Sequence, residues 1–306
     1  VERDVAITLL RSGAKGVIEW NNARLNGETV PDLTKVDLRM AVLDDVNLSG
    51  AHLRGADLRS ADLSKADLSG ADLRRADLSR ARLSWANLGG AILEEANLSH
   101  ASLSGARLNG AALGGARLFG ASLGGADLRE AFLDDANLRS ADLRRADLRG
   151  ADLRGAVLSA ANLRKADLTD VKLSGADLRQ ADFKGANLRG ADLTGAYFRL
   201  ADLDGADRQG ATFRGAALGG GNSGEDDLPA NESERAVSDR AEVHSDVLRE
   251  AKPLTLYFDI SEFSDEEIAS ILHGLSDLYR DLGGDSLVID RMEMLDPALV
   301  LSPEEA

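Results

Sequence analysis

The chain contains no cysteine and only four histidines, His52, His100, His244 and His273, widely separated in sequence. Disulfides, thiol nucleophiles and thiolate metal sites are therefore excluded. Carboxylates are the remaining chemical resource, with 52 Asp and Glu against 36 Lys and Arg. Asp259 and Asp290 stand at the ends of two predicted strands, and parallel pairing would bring them to the edge where open α/β sheets bind ligands. A divalent cation is conceivable there, although polar residues at strand exits account for the same placement. Signatures of the GxSxG, HExxH, P-loop and dinucleotide-binding types are absent. Most other acids recur at a fixed spacing that reads as a ladder in water, where nothing raises a pKa for acid catalysis. The expectation is a non-enzyme with no cofactor and no metal.

That fixed spacing is the main fact about the chain. From Pro31 to Gly220 it runs as 38 five-residue units without an insertion or deletion. The stretch ADLRSADLSKADLSGADLRRADLSR, residues 56–80, is typical. Position one is Ala except at Pro31, Val36, Val46 and Val171, and position three is Leu except at Phe183, Phe198, Arg208 and Phe213. A helix would smear this pair around its axis, because five residues advance it by about 500°. A straight strand fails as well, since an odd repeat throws successive pairs to opposite faces. What remains is a short extended piece with Ala and Leu inward, then a turn that restores parity. Gly at position five suits such a turn. Nearly every unit buries a Leu worth about 1.5–3 kcal/mol, so stacking makes the core.

The pattern strongly resembles the pentapeptide repeat proteins over about 190 residues. The resemblance implies a mainly β fold, a right-handed quadrilateral β-helix with four units to each coil. It places the position-three residues at the centre, including the ladder Leu53, Leu73, Leu93, Leu113 and Leu133 and the core aromatics Phe183, Phe198 and Phe213, with positions two, four and five facing water. Thirty-eight units make about 9.5 coils and a rod about 45 Å long. Lanes of position-two Asp and position-four Arg should neutralise each other on the surface.

Residues 1–30 fall outside the repeat and read as its N-terminal cap. VERDVAITLLRSG predicts a short helix ending near Gly13, with Val5, Leu9 and Ala6 or Leu10 on one side. GVIEWNNARLNG, residues 16–27, then reads as a lead-in in which Ala23 and Leu25 imitate one unit and Trp20 serves as a lid. Arg208, in a core slot near the far end, is expected to escape toward solvent. The coil bookkeeping puts Trp85 and Val42 on one side, Met40, Phe119, Tyr197 and Leu200 on the next, and Ile92 and Phe132 on a third. A belt at 105–125 carries only Arg107 and Arg117 as charges, and with Trp85, Phe119 and Phe132 it is a candidate partner surface.

Beyond the repeat, residues 221–245 read as an acidic flexible linker and 246–306 as a small acidic α/β unit. Its expected order is a strand at 254–261, a helix from the capping box Ser264–Glu267 to about Asp281, and a strand at 286–290, a β-α-β unit. Leu254, Leu256, Phe258 and Ile260, with the helix stripe of Ile268, Ile271, Leu275 and others to Leu282, leave more apolar face than so few elements cover. A partner is expected to complete it.

The net charge of -16 sits entirely in this last part: residues 31–220 hold 26 acids and 26 bases, whereas 221–306 hold 22 acids and six bases. Such acidity favours a protein partner with a basic surface and disfavours nucleic acid. A homo-oligomer is also compatible. No apolar stretch approaches the roughly 20 residues of a membrane span, and the first ten residues lack the order of a secretory signal, so the expected compartment is the cytoplasm. The leading reading is a non-catalytic scaffold or adaptor, a rod with a C-terminal recognition unit. The resemblance supplies an alternative, because some pentapeptide repeat proteins modulate bacterial type II topoisomerases such as gyrase by mimicking DNA. The neutral coils and the absence of loops between units depart from that picture.

Overall fold

The computed structural model describes residues 2–217, together with the backbone of three short strands near the C-terminus. Two compact units divide the chain, Val1–Asp239 and Arg240–Ala306. In the first, parallel bridges join each position-two residue to the one 20 residues later, from Asp37↔Asp57 through Tyr197↔Ala217. Four units therefore make one coil of a four-sided β-helix.

Backbone hydrogen bonding explains why this repeat closes on itself. The position-three and position-five N–H groups donate to the next coil, as in Leu53 N to Asp72 O at 2.8 Å and Gly55 N to Arg74 O at 2.9 Å. The position-two N–H donates to the previous coil, as in Asp57 N to Val36 O at 2.9 Å. Position one closes the turn, as in Ala56 N to Leu53 O at 2.9 Å. That leaves position four, and its N–H donates to the side chain of an Asp or Asn at position two, as in Ser79 N to Asp77 Oδ1 at 2.9 Å. All five donors of a typical unit thus have acceptors. Position two is consequently half-buried in most units, and Asp152 is buried outright, whereas the repeat pattern suggested a water-facing site.

Every described position-five residue, from Lys35 to Gly215, has φ between +54° and +76°. The turn requires a positive φ at its third residue, as a type II turn does. Nineteen of these residues are not glycine, so the stacked coils hold ordinary side chains in a conformation that costs about 1–2 kcal/mol each.

Alanines at position one and leucines at position three fill the interior, and Leu53, Leu73, Leu93, Leu113 and Leu133 are fully buried. Phe183, Phe198 and Phe213 are also buried and pack in series, with ring centroids 6.3 and 5.7 Å apart. Arg208 is half-buried among the last coils, less exposed than an escape to solvent would make it.

The cap corrects the sequence reading. Helix α1, Arg3–Arg11, is followed by a second helix α2, Gly13–Leu25, where a non-helical lead-in was expected. Ala23 and Leu25 imitate no repeat unit, and Leu25 is exposed. Ala6 and Leu10 are the buried residues of α1, while Val5 points outward. A Cβ at Gly16 would collide with the Leu9 carbonyl oxygen, so this glycine lets α2 turn close against α1.

The cap also supplies donors that a preceding coil would have supplied. Arg3 donates to the carbonyls of Asp32 and Thr34, Arg11 to Asp37 at 2.6 Å, and Trp20 Nε1 to Asn47 at 2.7 Å. Asn21 accepts from Asn47 N at 2.8 Å. The open edge of the first coil is thereby satisfied and closed to strand addition.

Near the C-terminus, β1 (Thr255–Leu256), β2 (Met294–Leu295) and β3 (Ala298–Val300) form a sheet in the order β1-β3-β2 with both pairings antiparallel. The neighbour of β1 is thus a C-terminal segment for which the sequence predicted no strand. The linker 221–245, the helix 264–281 and the strand 286–290 lie outside the described residues.

Candidate interaction faces

Over most of the rod the surface is a set of closed ion pairs. Where a unit reads Asp-x-Arg, the guanidinium folds back onto the carboxylate two residues earlier: Arg144 Nε and Nη2 lie 2.8 and 2.6 Å from the two oxygens of Asp142. The same bidentate pair recurs in Arg74–Asp72, Arg154–Asp152 and Arg179–Asp177. Longer contacts link coils, as in Arg129 to Asp147 at 3.7 Å. The Arg hydrogen bond holds the carboxyls of Asp57, Asp72, Asp142 and Asp177 below the usual carboxylate range, against a smaller opposing effect of burial. Such groups stay ionised and occupied, the reverse of what a general acid requires. Among the described residues no group of three or more His, Asp or Glu is placed to hold a metal ion.

The lattice breaks in the five units from 101 to 125. Their position-two residues are Ser102, Arg107, Ala112, Arg117 and Ser122, none of them Asp or Asn. The side-chain brace on the turn is missing there, while the backbone ladder continues unchanged, with Leu103 N to Ser122 O at 2.7 Å. Ser84 and Ser102 hydroxyls pair at 2.9 Å, and Ser104 and Ser122 at 3.1 Å. The side carrying these serines is free of charge over the two units 101–105 and 121–125, between Arg82 and Asp142 of the same column.

Aromatic groups border that side. Trp85, 69% exposed, sits at one corner with its indole laid against the backbone of Gly105 in the next coil, where a Cβ would come within 2.6 Å of two ring carbons. At the other corner the Phe119 ring meets His100 edge-on, centroids 5.1 Å apart, and the imidazole covers Gly120. Phe132 lies elsewhere: the 20-residue register puts it in the Ile92–Ala112–Phe132 column of the opposite side. Trp85 and Phe119 thus border one face, and Phe132 does not join them. Leu254, Phe258, Ile260, Ile268, Ile271, Leu275, Asp259 and Asp290 lie outside the described residues, and Leu256 is placed only as part of β1.

Sequence reasoning missed His100 as the partner of Phe119 and missed the two glycines beneath the rings. The signal was available, because residues 20 apart stack: Trp85 precedes Gly105 and His100 precedes Gly120 by one coil.

Comparison with known proteins agrees with this architecture. The family model for pentapeptide repeats matches in eight copies, over residues 41–80, 81–118, 116–155, 141–180 and 181–220. Among solved structures, HetL, a pentapeptide repeat protein involved in heterocyst differentiation regulation from the cyanobacterium Nostoc sp. strain PCC 7120, is 37% identical with a TM-score of 0.50, covering 66% of this chain and 94% of that one. Full-length QnrB1, a plasmid-mediated fluoroquinolone resistance protein, is 19% identical with a TM-score of 0.49, covering 70% of this chain and 99% of that one. A pentapeptide repeat protein of the Arabidopsis thaliana thylakoid lumen is 38% identical with a TM-score of 0.24 over 38% of this chain and 70% of its own. No curated protein matches. With its repeats matched from residue 41 to residue 220, the chain belongs to the pentapeptide repeat family.

Proposed function

We propose that this protein is a non-catalytic regulatory scaffold whose rod engages a protein partner through the charge-free patch of units 101–105 and 121–125, bordered by Trp85 and Phe119. The observation that carries this reading is the exposed indole of Trp85, seated on Gly105 beside a row of paired serines where the ion pairs of the coils before and after are interrupted. Desolvating those ion pairs would be costly, whereas Ser, Gly and aromatic surface is cheap to cover. The likeness to HetL, itself involved in regulating differentiation, supports a regulatory role. The acidic segment 221–306 serves as a second recognition element, steered toward a basic surface. Closed Asp–Arg pairs speak against imitation of DNA by the coils, because a mimic needs carboxylates whose charge is not already answered.

Capture from a native host extract tests the proposal. A partner retained by the wild-type protein should be lost with Trp85→Ser/Phe119→Ser and kept with Phe132→Ser on the opposite side. Equal capture by all three proteins would refute the assignment of the face.

A further inference from the structure

A groove of about 990 Å³ follows one corner of the rod at its capped end. Its floor is a position-five column, Met40, Ser60, Arg80 and His100, one residue from each of four successive coils. Three coil steps of roughly 4.8 Å make this column about 14 Å long, the span from residue i to residue i+4 of an extended chain.

Four arginines line the groove, and three are already committed. Arg11 donates twice to the Asp37 carbonyl, and Arg39 and Arg59 each form a bidentate pair with the aspartate two residues before. Arg80 is exposed, and its guanidinium meets no acceptor among the described residues. Two coils away the groove turns apolar, with Met40 77% and Val42 45% exposed.

We infer that this groove binds an extended acidic peptide segment, with one carboxylate on Arg80 and an apolar side chain over Met40 and Val42. The uncommitted guanidinium selects an anion, and a planar fork suits a carboxylate. The apolar end excludes a bare ion as the best occupant. A nucleic acid is disfavoured as well, because Asp37, Asp57 and Asp77 run alongside the arginines and would face every phosphate of a polyanion. Isolated carboxylates on a peptide avoid that repulsion. Arg80 and Met40 lie two coils, or roughly 10 Å, apart, so the flexible arginine can meet an acid two or three residues from the apolar one.

This inference rests on the scaffold reading and names a partner chemistry for the capped end of the corner that also carries His100 and Phe119, but the two fail separately because they are tested at different residues. Fluorescence anisotropy with the full-length protein would use a labelled peptide carrying one leucine followed by alternating glutamates, its glutamine counterpart, and a single-stranded oligonucleotide. Arg80→Glu should weaken the acidic peptide at least tenfold, and Met40→Ser should weaken it severalfold. Arg145→Glu is the matched control, since Arg145 is also an exposed position-five arginine without a side-chain partner among the described residues, on another corner; it should leave binding unchanged. The inference is overturned if Arg80→Glu and Arg145→Glu behave alike, if the glutamine peptide or the oligonucleotide binds as tightly, or if the acidic peptide does not bind. In any of these outcomes, loss of capture by the Trp85/Phe119 variant would still uphold the scaffold reading.

Discussion

Gly105→Ala should dislodge Trp85 without disturbing the coil, and the size of the effect can be worked out beforehand. Gly105 has φ +66°, so an alanine there pays about 1 kcal/mol for the left-handed conformation. Its Cβ would also stand 2.6 Å from indole carbons Cε3 and Cζ3, well inside the roughly 3.5–4.0 Å of carbon contact. The backbone is tied into the ladder through Gly105 N to Gly124 O at 3.0 Å, so the exposed indole must give way. Trp85 keeps about a third of its surface covered; for a side chain of about 250 Å² that is about 2 kcal/mol at roughly 25 cal/mol per Å². Gly110→Ala is the reference, since Gly110 has φ +63° and nothing within 4 Å of the added carbon. Expected losses are about 3 kcal/mol for Gly105→Ala, as an upper bound, and about 1 kcal/mol for Gly110→Ala. In a Trp85→Ser background the Gly105→Ala penalty should fall to about 1 kcal/mol, a coupling readable in a double-mutant cycle of denaturant melts. Serine is a fair replacement because Ser60 and Ser140 already occupy position five. Fluorescence gives a second reading, as Trp20 is fully buried and Trp85 is the other of the two tryptophans. Equal losses at Gly105 and Gly110, with unchanged quenching of the exposed tryptophan, would refute the placement of the ring.

Leu113→Asp should abolish cooperative folding by burying a charge at a fully buried site, while Arg117→Asp, on an exposed side chain in the next unit, should melt like wild type by circular dichroism. Trp20→Phe keeps most of the cap's apolar volume but leaves the Asn47 carbonyl without its donor, so urea melts should show a loss of about 1–3 kcal/mol. Asp57, Asp72, Asp142 and Asp177 have lowered folded-state pKa values through their arginines; their stabilisation is complete above the unfolded carboxylate value of about 3.9 and disappears as pH falls through the lower folded values. Melting temperatures should therefore be flat from about pH 5 to 7 and fall below about pH 4, and a fall confined to alkaline pH would contradict the pairing. Purified protein should not inhibit DNA gyrase in a supercoiling assay, and inhibition that survives deletion of 221–306 would revive charge mimicry.

The interior of the rod was readable from the sequence because apolar slots recur with fixed parity, and only one backbone path keeps them all inward. The cap was readable as a place but not as a structure. In α2 the buried face is only Gly16, Val17 and Trp20, and its inward polar residues, Asn21 among them, satisfy coil carbonyls, so the segment lacks the broad apolar stripe that announces a helix. Position two also gave a misleading signal: Asp and Asn suggest solvent, yet their carbonyl or carboxylate oxygen accepts the one backbone donor the coil leaves over. Composition reports polarity; it does not report which N–H lacks a partner. For the candidate face, one coil of 20 residues was enough to set Trp85, Phe119 and Phe132 on their sides. What stacks on what became visible only with side chains in place, as with His100 against Phe119.

A rod whose backbone repeats every 20 residues can acquire specificity only through side chains that leave that repeat intact. Positions one and three are unavailable, since the core fixes them, and position two is constrained wherever its oxygen braces the turn. Units 101–125 give up that brace and still keep their ladder bonds, buried leucines and positive φ at position five. The loss is bearable because neighbouring coils on both sides hold the turns, a nearest-neighbour stabilisation that isolated turns lack. Once the brace is dispensable, positions two, four and five of these units are free to be small, neutral or aromatic. Exposed rings then gain definition from the coil below: Gly105 and Gly120 seat Trp85 and His100 against backbone, which restrains ring orientations that would otherwise carry an entropic cost on binding. The same coil geometry that makes the rod uniform thus presents a few ordered aromatic groups around a small charge-free patch.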